Sequence, residues 1–170
     1  YFKKIHEIAS RHHGCINKFI GDAAMIIFAS TGKGEKGSSE KSVLAALEII
    51  KETKKIKLPN GTSLLTSVGI NYGNVIAGLI GAPERYEYTV IGDVVNIASR
   101  LEGLSKQLHN ALTISDGVYN NLTPKTKTLF RNLGTQCLKG KVHPVRTFGT
   151  EPLAYDEDVP DPKSMPQCSL

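Results

Sequence analysis

At 170 residues, with 40% hydrophobic and 22% charged side chains, the chain has the composition of one ordinary globular domain, and no apolar run approaches the roughly 20 residues of a membrane-spanning helix or reads as a signal peptide. Its formal net charge of +5 is uneven, because from Glu151 onward five acids face one lysine, leaving a basic body and an acidic tail. Dispersed lysines without interleaved aromatics favour a small polyphosphate over nucleic acid, and Cys15, Cys137 and Cys168 are too scattered for a disulfide framework or zinc site, in keeping with a reducing, cytoplasmic setting.

Phe2, Ile5, Ile8, Ala9 and His12 recur at helical spacing, and Gly14 stands where that helix is expected to terminate. Cys15 to Phe19 and Ala23 to Ala29 read as two short strands joined by a Gly21-Asp22 turn. Residues 31–39 read as a surface loop. Ser39 is then expected to cap a helix running to about Lys57, with Val43, Leu47 and Ile50 facing inward, before Pro59-Asn60-Gly61 turns the chain. Leu64 to Tyr72 and Val75 to Ile80 suggest a second hairpin around Gly73-Asn74, followed beyond Pro83 by an exposed arm and a strand ending at Ile91.

The next helix, from Val94 to about Leu108, is expected to bury Val94, Ile97, Ala98, Leu101, Leu104 and Leu108. Ala111 to Ile114 reads as a strand, Asp116 to Leu122 as a short helix, and Leu133 to Leu138 with Val145 to Phe148 as a terminal hairpin. This order predicts an α+β fold with helices packed on a mostly antiparallel sheet. Residues 1–150 form one predicted domain, and 151–170 an acidic tail rich in proline and expected to be disordered.

Two of these elements carry chemistry. The first, Asn17-Lys18-Phe19-Ile20-Gly21-Asp22, displays a lysine and an aspartate four residues apart; the second, Tyr88 to Arg100, runs through Ile91-Gly92-Asp93 into a helix whose polar face carries Asn96 and Arg100. A cation, an exposed carboxylate, an amide and a guanidinium are the groups that a nucleoside triphosphate and its divalent metal require. Each also has a plainer reading. Gly-Asp is a turn, Asp93 a helix cap, Asn96 and Arg100 a solvated helix face, Thr89 a strand former, and Lys18 a solvated strand end. The five histidines form no metal-ligand grouping.

Lys18 to Asp22, the stretch Val68-Gly69-Ile70-Asn71-Tyr72-Gly73-Asn74-Val75, and Tyr88 to Leu101, in this order and at compatible spacing, resemble the catalytic domain of the class III adenylyl and guanylyl cyclases over residues 1 to 149. The resemblance implies a ferredoxin-like, palm-like core and a head-to-tail homodimer with two active sites across its interface. It also implies conversion of ATP to cyclic AMP and pyrophosphate at a site holding two Mg²⁺ or Mn²⁺ ions. By position Asp22 is a metal ligand and Asp93 is not. Asn96 orients the ribose, Arg100 stabilises the transition state at the α-phosphoryl group, and Lys139, in Leu138-Lys139-Gly140-Lys141, contacts the triphosphate. Lys18 and Thr89 read the base. Guanylyl cyclases typically carry Glu and Cys at these two positions, so the pair resembles bacterial-type adenylyl cyclases.

The family's opening strand, with its Phe-x-Asp-Ile-x-Gly-Phe motif and second metal-binding Asp, has no match here. The resemblance therefore implies an N-terminally incomplete domain with little activity of its own. A guanylate cyclase and a catalytically silent cyclase-like module, serving dimerisation or nucleotide sensing, are the alternatives. The Gly-Gly-Asp/Glu-Glu-Phe turn of diguanylate cyclases is absent.

Overall fold

In the computed structural model, which describes residues 1–30, 37–138 and 144–150, the helical spacing of Ile5, Ile8 and Ala9 becomes α1 (Phe2–Arg11), with those three side chains buried. The left-handed residue that ends it is His13, at φ 62°, rather than Gly14. Gly14 is there for space, since a Cβ would stand 2.6 Å from the Phe28 ring. The chain then forms β1 (Cys15–Ile20) and β2 (Ala23–Ile27), antiparallel around Gly21 at φ 61°, a backbone conformation that costs glycine little. Ile16 pairs with Ile26 and Lys18 with Met25, so Asn17 is an extra residue in a β-bulge.

Helix α2 (Gly37–Thr53) begins before Ser39, the expected cap, and stops short of Lys57. Ser39 lies in its first turn, where its carbonyl accepts from the Ser42 hydroxyl at 2.8 Å. At the other end the buried Thr53 hydroxyl bonds back to the Ile49 carbonyl at 2.8 Å and accepts from Thr66 at 2.8 Å, which draws the chain off the helix axis.

The hairpin expected around Gly73-Asn74 is not formed. β3 (Val68–Ile70) is a short strand by itself, and the hairpin lies further on, between β4 (Ile76–Ala82) and β5 (Arg85–Ile91). Gly73 serves packing instead, because a Cβ there would lie 2.7 Å from Val94 Cγ2. Helix α3 (Asp93–Gln107) follows β5 after Gly92 alone. The partner of β3 is β6 (Leu112–Ser115), in parallel register from Val68 opposite Leu112 to Ile70 opposite Ile114. A parallel pair needs a long crossover and leaves no turn signal in the sequence.

Two short helices, α4 (Asp116–Asn120) and the unexpected α5 (Pro124–Lys127), precede β7 (Arg131–Gln136) and β8 (Val145–Gly149), the terminal hairpin expected from the sequence. Among the described residues the strands order as β3-β6-β8-β7, with β1-β2 and β4-β5 as separate pairs, and only β3 with β6 runs parallel. The mostly antiparallel α+β expectation holds.

The core explains why α3 cannot shift. Ile97, Leu101, Leu104 and Leu108 bury its inner face with Leu133 and Leu138, each such side chain contributing about 1.5–3 kcal/mol. Ser105 Oγ, fully buried, donates to the Val68 carbonyl at 3.0 Å and accepts from the Thr113 hydroxyl at 2.7 Å, tying the helix to β3 and β6. Gly69 lets the backbones touch, because a Cβ on it would lie 2.4 Å from the Ala98 carbonyl oxygen. On the other side, Val43 and Ala46 of α2 join Leu112, Ile114, Val118 and Phe148, while Ala45 and Ile49 face Ile5 and Ile8 of α1.

Cys15 is free and exposed. The expected tail, 151–170, and Lys139 lie outside the described residues. Among those described, no helix is long and apolar enough to cross a membrane.

Candidate active site

Sequence places Lys18 on β1 and Thr89 on β5, with no local reason for them to meet; the fold brings their strands together. Asn17 Nδ2 donates to the Tyr88 carbonyl at 3.1 Å, Thr89 Oγ1 donates to Asn17 Oδ1 at 3.0 Å, and Lys18 Nζ pairs with Glu87 Oε1 at 2.8 Å. Three consecutive residues of β5 thus engage two of β1. In a regular strand Asn17 and Lys18 would point to opposite faces, and the bulge at Asn17 is what lets both reach β5.

Asn96 and Arg100 stand one turn apart on α3, as their spacing requires, Asn96 exposed and Arg100 half-buried. Arg100 Nη1 is buried and has no hydrogen-bond partner among the described residues. A guanidinium nitrogen removed from water without a partner is costly, so this position suits an incoming anion. Gly92, at φ 148°, turns β5 into α3 and fixes how Thr89 stands relative to Asn96 and Arg100. Asp93 is the first residue of α3 rather than its cap, which is Gly92, and its carboxylate there complements the helix dipole.

Asp22 is exposed at the tip of the β1–β2 turn. Its charge is felt on α3. The Lys106 ammonium is held above the ordinary lysine value chiefly by its hydrogen bond and charge pairing with Glu102, against some desolvation, and the Asp22 carboxylate adds in the same direction. Asp22 makes no hydrogen bond or ion pair with Asn96 or Arg100 within one copy, among the described residues. Nor do the described residues include a group of three or more His, Cys, Asp or Glu that could hold a metal ion. A lone exposed carboxylate nonetheless fits Mg²⁺ or Mn²⁺, which take few protein oxygens and fill the shell with water and phosphate oxygens.

Sequence reasoning did not pick out Asn17, Glu87 or Tyr88. The signal for Asn17 was an amide in the interior of an apolar strand, where such residues are disfavoured.

The family model for the adenylate and guanylate cyclase catalytic domain matches residues 1–151. The chain is 34% identical over 147 residues to an uncharacterized Mycobacterium tuberculosis protein, covering 86% of this chain and 26% of that one. It is 33% identical over 146 residues to adenylate cyclase 1 of Rhizobium meliloti, covering 83% of this chain and 21% of that one. Among solved structures, a bacterial light-regulated adenylyl cyclase superposes with a TM-score of 0.76 at 31% identity, over 92% of this chain and 45% of that chain. The chain thus spans about a quarter of the length of these curated relatives.

Proposed function

This chain belongs to the adenylate and guanylate cyclase catalytic domain family, and on that premise we propose that it is the catalytic segment of an adenylate cyclase, forming 3′,5′-cyclic AMP and pyrophosphate from ATP for cyclic nucleotide signalling. The observation that carries this reading is the buried, unpartnered Nη1 of Arg100 on the same helix face as Asn96. In the reaction the ribose 3′-oxygen bonds to the α-phosphorus and gives its proton to water, while the bond from phosphorus to the pyrophosphate oxygen breaks and pyrophosphate leaves. Negative charge grows on the α-phosphoryl oxygens as this happens. Arg100 stabilises that charge through fixed donors that stay protonated, and Asn96 holds the ribose so that the attacking oxygen stays in line.

Lys18 donates to N1 of adenine and the Thr89 hydroxyl meets the exocyclic amine. Lys139 would neutralise the outer phosphates. Asp22 would hold Mg²⁺ or Mn²⁺, which when bound polarises the phosphoryl oxygens and lowers the pKa of the attacking hydroxyl.

The β4–β5 ribbon supports a homodimer, since Ile76 and Leu79 are 70% and 69% exposed and Tyr86 and Tyr88 stand beside them on the surface. Two copies arranged head to tail would bring Asp22 of one to Asn96 and Arg100 of the other. The test is cyclic nucleotide production by this chain from ATP and from GTP with Mg²⁺ or Mn²⁺. Cyclic AMP lost on Arg100→Ala is the expected result; cyclic GMP alone, or activity untouched by that substitution, would overturn it.

A further inference from the structure

The Tyr88 carbonyl can only accept a hydrogen bond, so the Asn17 atom that faces it at 3.1 Å is the amide nitrogen. Asn17 Oδ1, which also can only accept, is thereby turned to the Thr89 hydroxyl at 3.0 Å. The hydroxyl proton is spent on Asn17. What remains on Thr89 for a ligand is oxygen lone pairs. At 8% exposure the side chain has little access to bulk water with which to exchange that bond.

An acceptor beside the Lys18 donor is a matched pair for one purine edge. Adenine offers a 6-amine that donates and an N1 that accepts. Guanine presents the reverse, a 6-carbonyl that accepts and an N1–H that donates. A free threonine hydroxyl could rotate to serve either base; one whose proton is held cannot. The bulge at Asn17 supplies the geometry, because it lets the Asn17 amide and the neighbouring Lys18 ammonium both reach β5.

We infer that Asn17 is a positioning residue that fixes the Thr89 hydroxyl as an acceptor and thereby makes the base site selective for a purine bearing a 6-amino group. The inference rests on the reading of Lys18 and Thr89 as the base contacts. A selectivity set in this way passes through one hydrogen bond, so its removal is worth about tenfold in the ratio of the two affinities.

The test is calorimetric binding of 3′-deoxy-ATP and 3′-deoxy-GTP, neither of which can cyclise, to the wild-type chain and to Asn17→Ala, Thr89→Val, the double variant and Asn17→Asp, with circular dichroism as the check on folding. The expected result is a wild-type preference for the adenine nucleotide that falls about tenfold in Asn17→Ala. Thr89→Val lowers it too, the double variant shows no further loss, and Asn17→Asp, whose carboxylate still accepts from Thr89, retains it. If Asn17→Ala does not fold, loss of the preference in Asn17→Asp decides against the inference and its retention decides for it. An adenine preference unchanged in folded Asn17→Ala, or additive losses in the double variant, would overturn the inference and leave the adenylyl reading standing. A wild-type preference for the guanine nucleotide would overturn both.

Discussion

Glu87 Oε1 stands 2.8 Å from Lys18 Nζ, so the ammonium assigned to the base is engaged by a carboxylate of the neighbouring strand when no nucleotide is present. The two side chains are 56% and 26% exposed, which makes this a partly solvated pair worth about 0.2–1 kcal/mol. Glu87→Gln should therefore lower the KM for ATP by up to about fivefold with little change in kcat. Steady-state kinetics at low salt would check it, and a raised KM would mean that Glu87 orients the lysine rather than competing for it.

Arg100→Ala should reduce kcat by about 10² to 10³-fold while KM changes little, because the contact strengthens only as charge develops. Asp22→Ala should be equally inactive. Mixing the two should restore activity through one intact site per heterodimer. Sedimentation of the mixture as dimers without recovered turnover would count against a shared site.

Gly69→Ala should destabilise the fold by about 3 kcal/mol, since the new methyl would meet the backbone of α3 at Glu102 and Ala98 rather than a side chain able to rotate away. Urea denaturation would measure this. A change under about 0.5 kcal/mol would show that α3 is free to back off from β3.

Glu40 on α2 accepts from the Thr123 amide at 3.0 Å, from the Thr123 hydroxyl at 3.1 Å and from the Thr126 hydroxyl, capping α5. Burial alone would raise its pKa, but these donors, Thr126 foremost, outweigh burial and hold it below the ordinary 4.5. A depressed folded value means that Glu40 contributes stability above the unfolded value, and that this contribution is lost as pH falls through the folded one. Glu40→Gln should cost about 1 kcal/mol at pH 7, with the difference from wild type vanishing in acid well below pH 4.5. A constant difference from pH 7 to pH 3 would point to packing instead.

Much of this was legible in the chain. The inner face of α3 could be read from Ile97, Leu101, Leu104 and Leu108, and the Gly21-Asp22 turn from its own residues, because both depend on neighbours a few positions away. The pairing of β3 with β6 could not, since the residues that meet, such as Gly69 and Thr113, are separated by the whole of α3. Gly73 and Gly14 misled for a related reason: glycine marks a turn and a close approach alike, and only the fold shows which. Lys18, Thr89, Asn96 and Arg100 were singled out by motif, whereas the contacts of Asn17 with β5 were not, because the bulge that permits them is a property of register between two strands.

The parallel pairing of β3 imposes an order on folding. The ribbons β1–β2 and β4–β5 close on their own turns and are free to form early, whereas β3 pairs among the described residues with β6, so that pairing waits for Leu112 to Ser115, and the packing of α3 on β3 waits with it. Arg100 should thus be among the last groups to reach its native setting. Pulse-labelled hydrogen exchange during refolding would show it, with amides of β4 and β5 protected before those of β3 and β6; simultaneous protection would mean that the domain assembles in one step.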